Sequence, residues 1–225
     1  SNRQAQIRTM LSLTLKGVFK AEQKQFDAAI EQFKSAIALD YRYTPAHLVL
    51  GNTYFELKNY NAAMESYKNT ISVDPNNIQA YLMLGSTYYV ECQKAEAQKA
   101  LQTVLKLNPN VPMAQNNLAW MYAENGENLD EAIQLAEAAK KRVPGFVQSL
   151  DTLGWAYYKK GNYPKALENL TAAVQAGVKD PGVYYHLGLV YMKTGEQPKA
   201  RDAFRQALNL DPKFEKADEI RAMLK

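Results

Sequence analysis

Small and apolar positions recur along this chain with one period. Ala29, Ala63, Ala97, Ala132, Ala166 and Ala200 are spaced 34, 34, 35, 34 and 34 residues apart. A second ladder runs ahead of it, as Gly17, Gly51, Gly85, Gly154 and Gly188, with Ala119 standing in the fourth copy. Leu and Tyr flank the glycines at helical spacing, as in Leu50-Gly51 with Tyr54 and Leu187-Gly188 with Tyr191. The pattern predicts two amphipathic helices per unit. The first carries the Leu, Gly and Tyr positions; the second carries Ala and, four residues on, an aromatic or Leu. Small residues let these helices approach closely. A unit of this size cannot bury its own apolar face, so copies stack and each covers the next.

Punctuation residues place the boundaries. Pro164 and Pro198 sit where second helices should begin, a position at which the missing N–H is no loss. Val73-Asp74-Pro75, Leu107-Asn108-Pro109 and Leu210-Asp211-Pro212 end second helices, because proline restricts the residue before it and cannot continue a helix. Gly177 is expected to do the same in the fifth unit. The one extra residue between Ala119 and Ala132 falls in the turn-forming stretch Asn125-Gly126-Glu127-Asn128, which predicts a lengthened hairpin turn. Lys16 and Lys20 stand where later units have Leu and Tyr, as suits an exposed end unit. Packing around Gly17 is therefore expected to be loose, and Gly17→Ala to cost far less than Ala166→Leu. Ala217, Ile220 and Leu224 predict a capping helix over the last open face.

The phase of His47, Leu50, Gly51, Tyr54, Ala63, Tyr67 and Pro75, repeated as Tyr81, Leu84, Gly85, Tyr88, Ala97 and Pro109 and again in the fifth and sixth units, resembles the tetratricopeptide repeat (TPR). The resemblance implies an all-α, right-handed superhelical solenoid of about six helix-turn-helix units. Their expected bounds are residues 10–43, 44–77, 78–111, 112–146, 147–180 and 181–214, with a capping helix over 215–225, all in a single domain over 3–225.

Composition changes the picture mainly by exclusion. A net charge of +4 over 225 residues is too small for the dense basic stripe of a nucleic-acid binder. No apolar run is long enough to span a bilayer. Cys92 is the single cysteine and His47 and His186 are the two histidines, so no catalytic constellation, metal site or cofactor is expected. The glycines are single and helix-internal, unlike a phosphate-cradling loop.

The resemblance instead implies a non-catalytic scaffold that binds a peptide or protein segment in a concave groove lined by first helices. A self-assembling module, hence a homo-oligomer, and a recognition arm of a longer enzyme or export machine are the alternatives. The family's groove positions fall on Asn52, Phe55, Ser86 and Tyr89, then on Asn116, Asn117, Trp120, Asp151, Thr152, Trp155, Tyr158, Tyr185 and His186. Trp120 and Trp155, one unit plus one residue apart, are expected side by side on the groove wall, since packed helix axes lie about 8–10 Å apart. Repeats four to six are also similar to bacterial tetratricopeptide proteins of the cell envelope and exopolysaccharide export, which favours a periplasmic over a cytoplasmic setting.

Overall fold

The computed structural model describes residues 2–225, and the described residues form thirteen α-helices with no strand. The chain is an all-α repeat solenoid whose contacts cluster in two units, Ser1–Pro109 and Asn110–Lys225. The first unit holds three hairpins. They are α1 (Asn2–Glu22) with α2 (Phe26–Leu39), α3 (Thr44–Glu56) with α4 (Tyr60–Val73), and α5 (Ile78–Val90) with α6 (Lys94–Leu107). The second holds α7 (Pro112–Asn125) with α8 (Leu129–Arg142), α9 (Gln148–Lys159) with α10 (Tyr163–Gln175), and α11 (Pro181–Thr194) with α12 (Gln197–Leu210), then α13 (Ala217–Met223). The helix α1 starts at Asn2, ahead of the boundary that the repeat register sets.

Local chemistry explains the helix ends. Asn59, Asn77, Asn162 and Asp180 accept the backbone N–H of Ala62, Ala80, Lys165 and Gly182, each satisfying one of the orphan donors of a helix start. Prolines stand in the first turns of α3, α7, α10, α11 and α12. Every first helix of a hairpin hands over to its second through one left-handed residue: Lys24, Lys58, Cys92, Gly126, Gly161 and Gly195. The extra residue of the fourth hairpin comes after that point, where Glu127 and Asn128 replace the single linking residue found elsewhere, and Asn128 itself has positive φ.

Within each unit, first helices lie against one another, α1 to α3 to α5 and α7 to α9 to α11. Within a unit, α2, α4, α8 and α10 each seat against their own first helix and the next one, as α2 does on α3 and α8 on α9. The alanine ladder marks that seam, and all six of its members are buried. The glycines face a bulky partner sixteen residues on: Gly17 meets Phe33, Gly51 meets Tyr67, Gly85 meets Leu101, Gly154 meets Leu170 and Gly188 meets Phe204. In the fourth hairpin Ala119 replaces the glycine, and the equivalent partner position shrinks to Ala136, so two small residues stand where the other hairpins set glycine against a bulky side chain.

The expectation of loose packing at Gly17 is overturned here. A Cβ on Gly17 would overlap the ring of Phe33 as closely as one on Gly188 would overlap Phe204. Lys16 and Lys20 do break the pattern, but the Gly17–Phe33 pair does not depend on them. At Gly85, by contrast, an added Cβ would sit 3.3 Å from Leu101 Cγ.

At the C-terminus α13 repeats the first-helix register in short form. Ala217 and Ile220 are buried, and Phe214, Met223 and Leu224 pack with Phe204 and Ala207 of α12. Among the described residues no helix is long and apolar enough to cross a membrane.

Candidate functional site

In the first unit Asn52, Phe55 and Ser86 are engaged in local structure. The fully buried Tyr67 phenol donates to Asn52 Oδ1 at 2.9 Å, and burial pushes that phenol's pKa up. Phe55 meets Tyr60 edge to face, 5.4 Å between ring centroids. The Ser86 hydroxyl donates back to the Leu82 carbonyl, and Tyr89 is exposed. His47 is buried, with Nε2 2.8 Å from the Tyr41 carbonyl oxygen and its ring against the Tyr41 ring, which is a packing role.

In the second unit the candidates converge. Asp151 and Trp155 lie one turn apart on α9, so both point to the same face. His186 comes from the next first helix, α11, and Trp120 from the preceding one, α7. The His186 ring stacks on the Trp155 indole, 4.2 Å between centroids and 24° between planes. It also meets the Trp120 ring at 5.7 Å and the Tyr185 ring at 5.7 Å. Its Nδ1 lies 2.8 Å from Asp151 Oδ1. A carboxylate can only accept, so the hydrogen sits on Nδ1, and this fixes the ring's tautomer and orientation. On the far side of Trp155, Tyr158 stacks at 5.0 Å with planes only 6° apart. Burial, and then the nearby Tyr163, raise the Tyr158 pKa.

The two tryptophans, expected side by side on the groove wall, each pack on His186. Trp155 is only 8% exposed. His186, Thr152, Asn116 and Tyr185 are buried as well, while Asn117, Trp120, Asp151 and Tyr158 are half-buried and form the accessible rim. The Thr152 hydroxyl is turned back to the Gln148 carbonyl. Two buried polar atoms in this region lack a hydrogen-bond partner, Trp155 Nε1 and Asn116 Oδ1. Tyr185 is tied away from the rim, donating its phenol to Glu219 Oε1 of α13 at 2.7 Å.

Two contributors fall outside the residues picked from the sequence. Lys159 holds its Nζ 5.0 Å from the Trp155 ring centroid, a cation–π contact. Its spacing of four from Trp155 on one helix was the available signal. Glu219 anchors Tyr185, and nothing in the sequence pattern marks that contact.

A family model described as the tetratricopeptide repeat protein 21 C-terminal ARM domain matches residues 56–221, and a tetratricopeptide repeat model matches residues 20–66. The solved structure of MamA is similar, with 30% identity and a TM-score of 0.65 over 75% of this chain and 91% of that one. The photosystem I assembly protein Ycf3 of Cyanophora paradoxa is 32% identical over 92 residues, 39% of this chain. That match spans 51% of the relative's length. YrrB, described as a TPR protein with an unusual peptide-binding site, shares the fold at 16% identity and a TM-score of 0.65, covering 84% of this chain and 97% of that one.

Proposed function

The chain belongs to the tetratricopeptide-repeat family, and on that premise we propose that it is a non-catalytic interaction module that takes an extended peptide segment across α7, α9 and α11 of its second unit. The observation that carries this reading is the convergence on His186 of side chains from three successive first helices. Trp120 and Tyr158 offer half-buried aromatic area, and Asn117 and Asp151 offer polar groups beside it. Trp155 and His186 lie beneath as a rigid floor. Large rigid aromatics beside a few oriented polar groups bury area at small entropic cost, which is the composition of interface hot spots. The peptide-binding site of YrrB on the same fold supports the reading.

The test starts from peptides selected on an array against the full chain. Binding is expected to shift the tryptophan emission. Trp120→Ala and Asp151→Asn should each weaken it by about 2 kcal/mol or more if they are hot spots. Glu168→Ala, on the exposed side of α10, should leave it unchanged. Selected peptides that bind Trp120→Ala and Asp151→Asn normally, but lose affinity on charge reversal at Glu168, would overturn the proposal.

A further inference from the structure

The three first helices of the second unit carry one fixed charge away from their ends. Apart from Asp151, their acidic residues, lysines and arginines are Glu124, Lys159 and Lys193, and each of these stands in the last turn of its helix. Asp151 stands in the first turn of α9. The repeat register marks it as a departure. Three residues ahead of the glycine ladder the other first helices place Thr14, Leu48, Leu82, Asn116 and Tyr185, none of them charged. A carboxylate here is destabilising unless it is paired, because its side chain is only 20% exposed and largely withdrawn from water.

The pairing that the chain itself supplies is partial. His186 Nδ1 donates to Oδ1, and among the described residues no Lys or Arg pairs with Asp151. A carboxylate offers about four acceptor sites on its two oxygens, so Oδ2 keeps its capacity. Asn116, at the same register on the adjoining α7, is buried and leaves Oδ1 without a hydrogen-bond partner. Along this edge the shortage is of donors. Aromatic area stands beside it, since half-buried Trp120 and Asp151 both meet the His186 ring. The wall already holds one cation, Lys159, with Nζ 5.0 Å from the Trp155 ring centroid. That ammonium is turned to the Glu124 carbonyl oxygen, 3.5 Å away.

We infer that the site selects peptides carrying an arginine, whose guanidinium lies on the Trp120 ring and donates to Asp151 Oδ2. A guanidinium is planar, so it stacks on an indole while the N–H groups at its edge bind a carboxylate. A lysine ammonium is a strongly hydrated point charge and does not serve both at once. An acidic side chain would meet Asp151 as a like charge. The selectivity rests on the peptide site proposed above and adds to it the class of side chain that is recognised.

A peptide array probed with the full chain, followed by fluorescence anisotropy on the tightest binders, tests it. Those binders are expected to share an arginine. Citrulline in its place, which keeps the shape and removes the charge, should weaken binding by at least about ten-fold, and lysine should weaken it less. Asp151→Asn, whose amide oxygen still accepts from His186 Nδ1, should bind the arginine and citrulline peptides alike. The citrulline comparison on the native chain holds whatever that variant does to stability. Binders that lose affinity in Trp120→Ala but lack arginine, or tolerate citrulline or lysine in its place, overturn the selectivity and leave the peptide site standing. A citrulline penalty of the same size in the native chain and in Asp151→Asn overturns it as well, since the arginine then binds elsewhere. Binders indifferent to Trp120→Ala, or an array without binders, overturn the selectivity and the peptide site together.

Discussion

His186 and Trp155 lie nearly face to face across two helices, 4.2 Å between ring centroids, while the same imidazole donates through Nδ1 to Asp151 at 2.8 Å. One side chain therefore ties α11 to α9 by both stacking and a charge-assisted hydrogen bond. Removing it should cost stability in the second unit. Aromatic pairs contribute about 0.5–1.5 kcal/mol beyond area burial, and hydrogen bonds to charged groups about 1.5–3 kcal/mol. His186→Ala is expected to destabilise by about 2–4 kcal/mol on those grounds. Both tryptophans of the chain are in this unit, so their emission during urea unfolding reports it directly. A double-mutant cycle with Asp151→Ala isolates the hydrogen bond, and a coupling near zero would show that the pair contributes geometry without net energy.

The glycine ladder makes a graded prediction. At Gly188 an added methyl overlaps the buried Phe204 ring, and overpacking of this kind costs about 1–3 kcal/mol. Gly17→Ala should cost a similar amount because Phe33 is held as tightly. Gly85→Ala meets Leu101 at an easily relaxed 3.3 Å and gains helix propensity, up to about 1 kcal/mol. Chemical denaturation followed by far-ultraviolet circular dichroism should rank Gly85→Ala as the most stable of the three variants, and equal losses in all three would contradict the packing argument.

The hairpins were legible in the sequence because a 34-residue period constrains every unit at once, and even the one inserted residue could be placed, between Gly126 and Leu129. What escaped was anything resting on one pairwise contact. The Gly17–Phe33 contact was masked by Lys16 and Lys20, since the departure of two neighbours says nothing about a partner sixteen residues on. The left-handed turn position was hidden because the first three hairpins place Lys24, Lys58 and Cys92 there in place of glycine. The second-unit candidates were found as a set, but the burial of Trp155 was not. It depends on the insertion of His186, a through-space relation for which the helical period carries no signal.

That turn position yields a stability prediction. Cys92 holds φ at +58°, in a region that costs residues with a Cβ about 1–2 kcal/mol. Glycine relieves the strain but adds unfolded-chain entropy of about 0.4–1 kcal/mol. Cys92→Gly and Lys58→Gly should therefore each stabilise by about 0.5–1 kcal/mol net. Gly161→Ala, at φ +80°, should destabilise. Thermal melts of the three variants check the order of signs.

The short helix α13 is held by a bond that depends on protonation. Tyr185 donates its phenol to the Glu219 carboxylate, and burial, reinforced by that bond, raises the phenol's pKa above its ordinary value near 10. An acid whose pKa is higher folded than unfolded binds more protons in the native state above pH 10, so stability falls as pH rises there. The contribution is complete below about pH 10 and is lost progressively above it. Without that proton two anions would face each other beneath α13, where Ile220 and Phe214 close over Phe204. Urea titrations from pH 8 to pH 11 should show a fall in stability at the alkaline end. Tyr185→Phe should be less stable at pH 8 but should show a shallower fall. Hydrogen exchange at Ile220 and Leu224, whose amides donate to Lys216 and Ile220 carbonyls, should accelerate over the same alkaline range beyond the intrinsic rate. If Tyr185→Phe and the native chain lose stability with the same pH slope, the phenol–carboxylate bond is not what closes this end of the second unit.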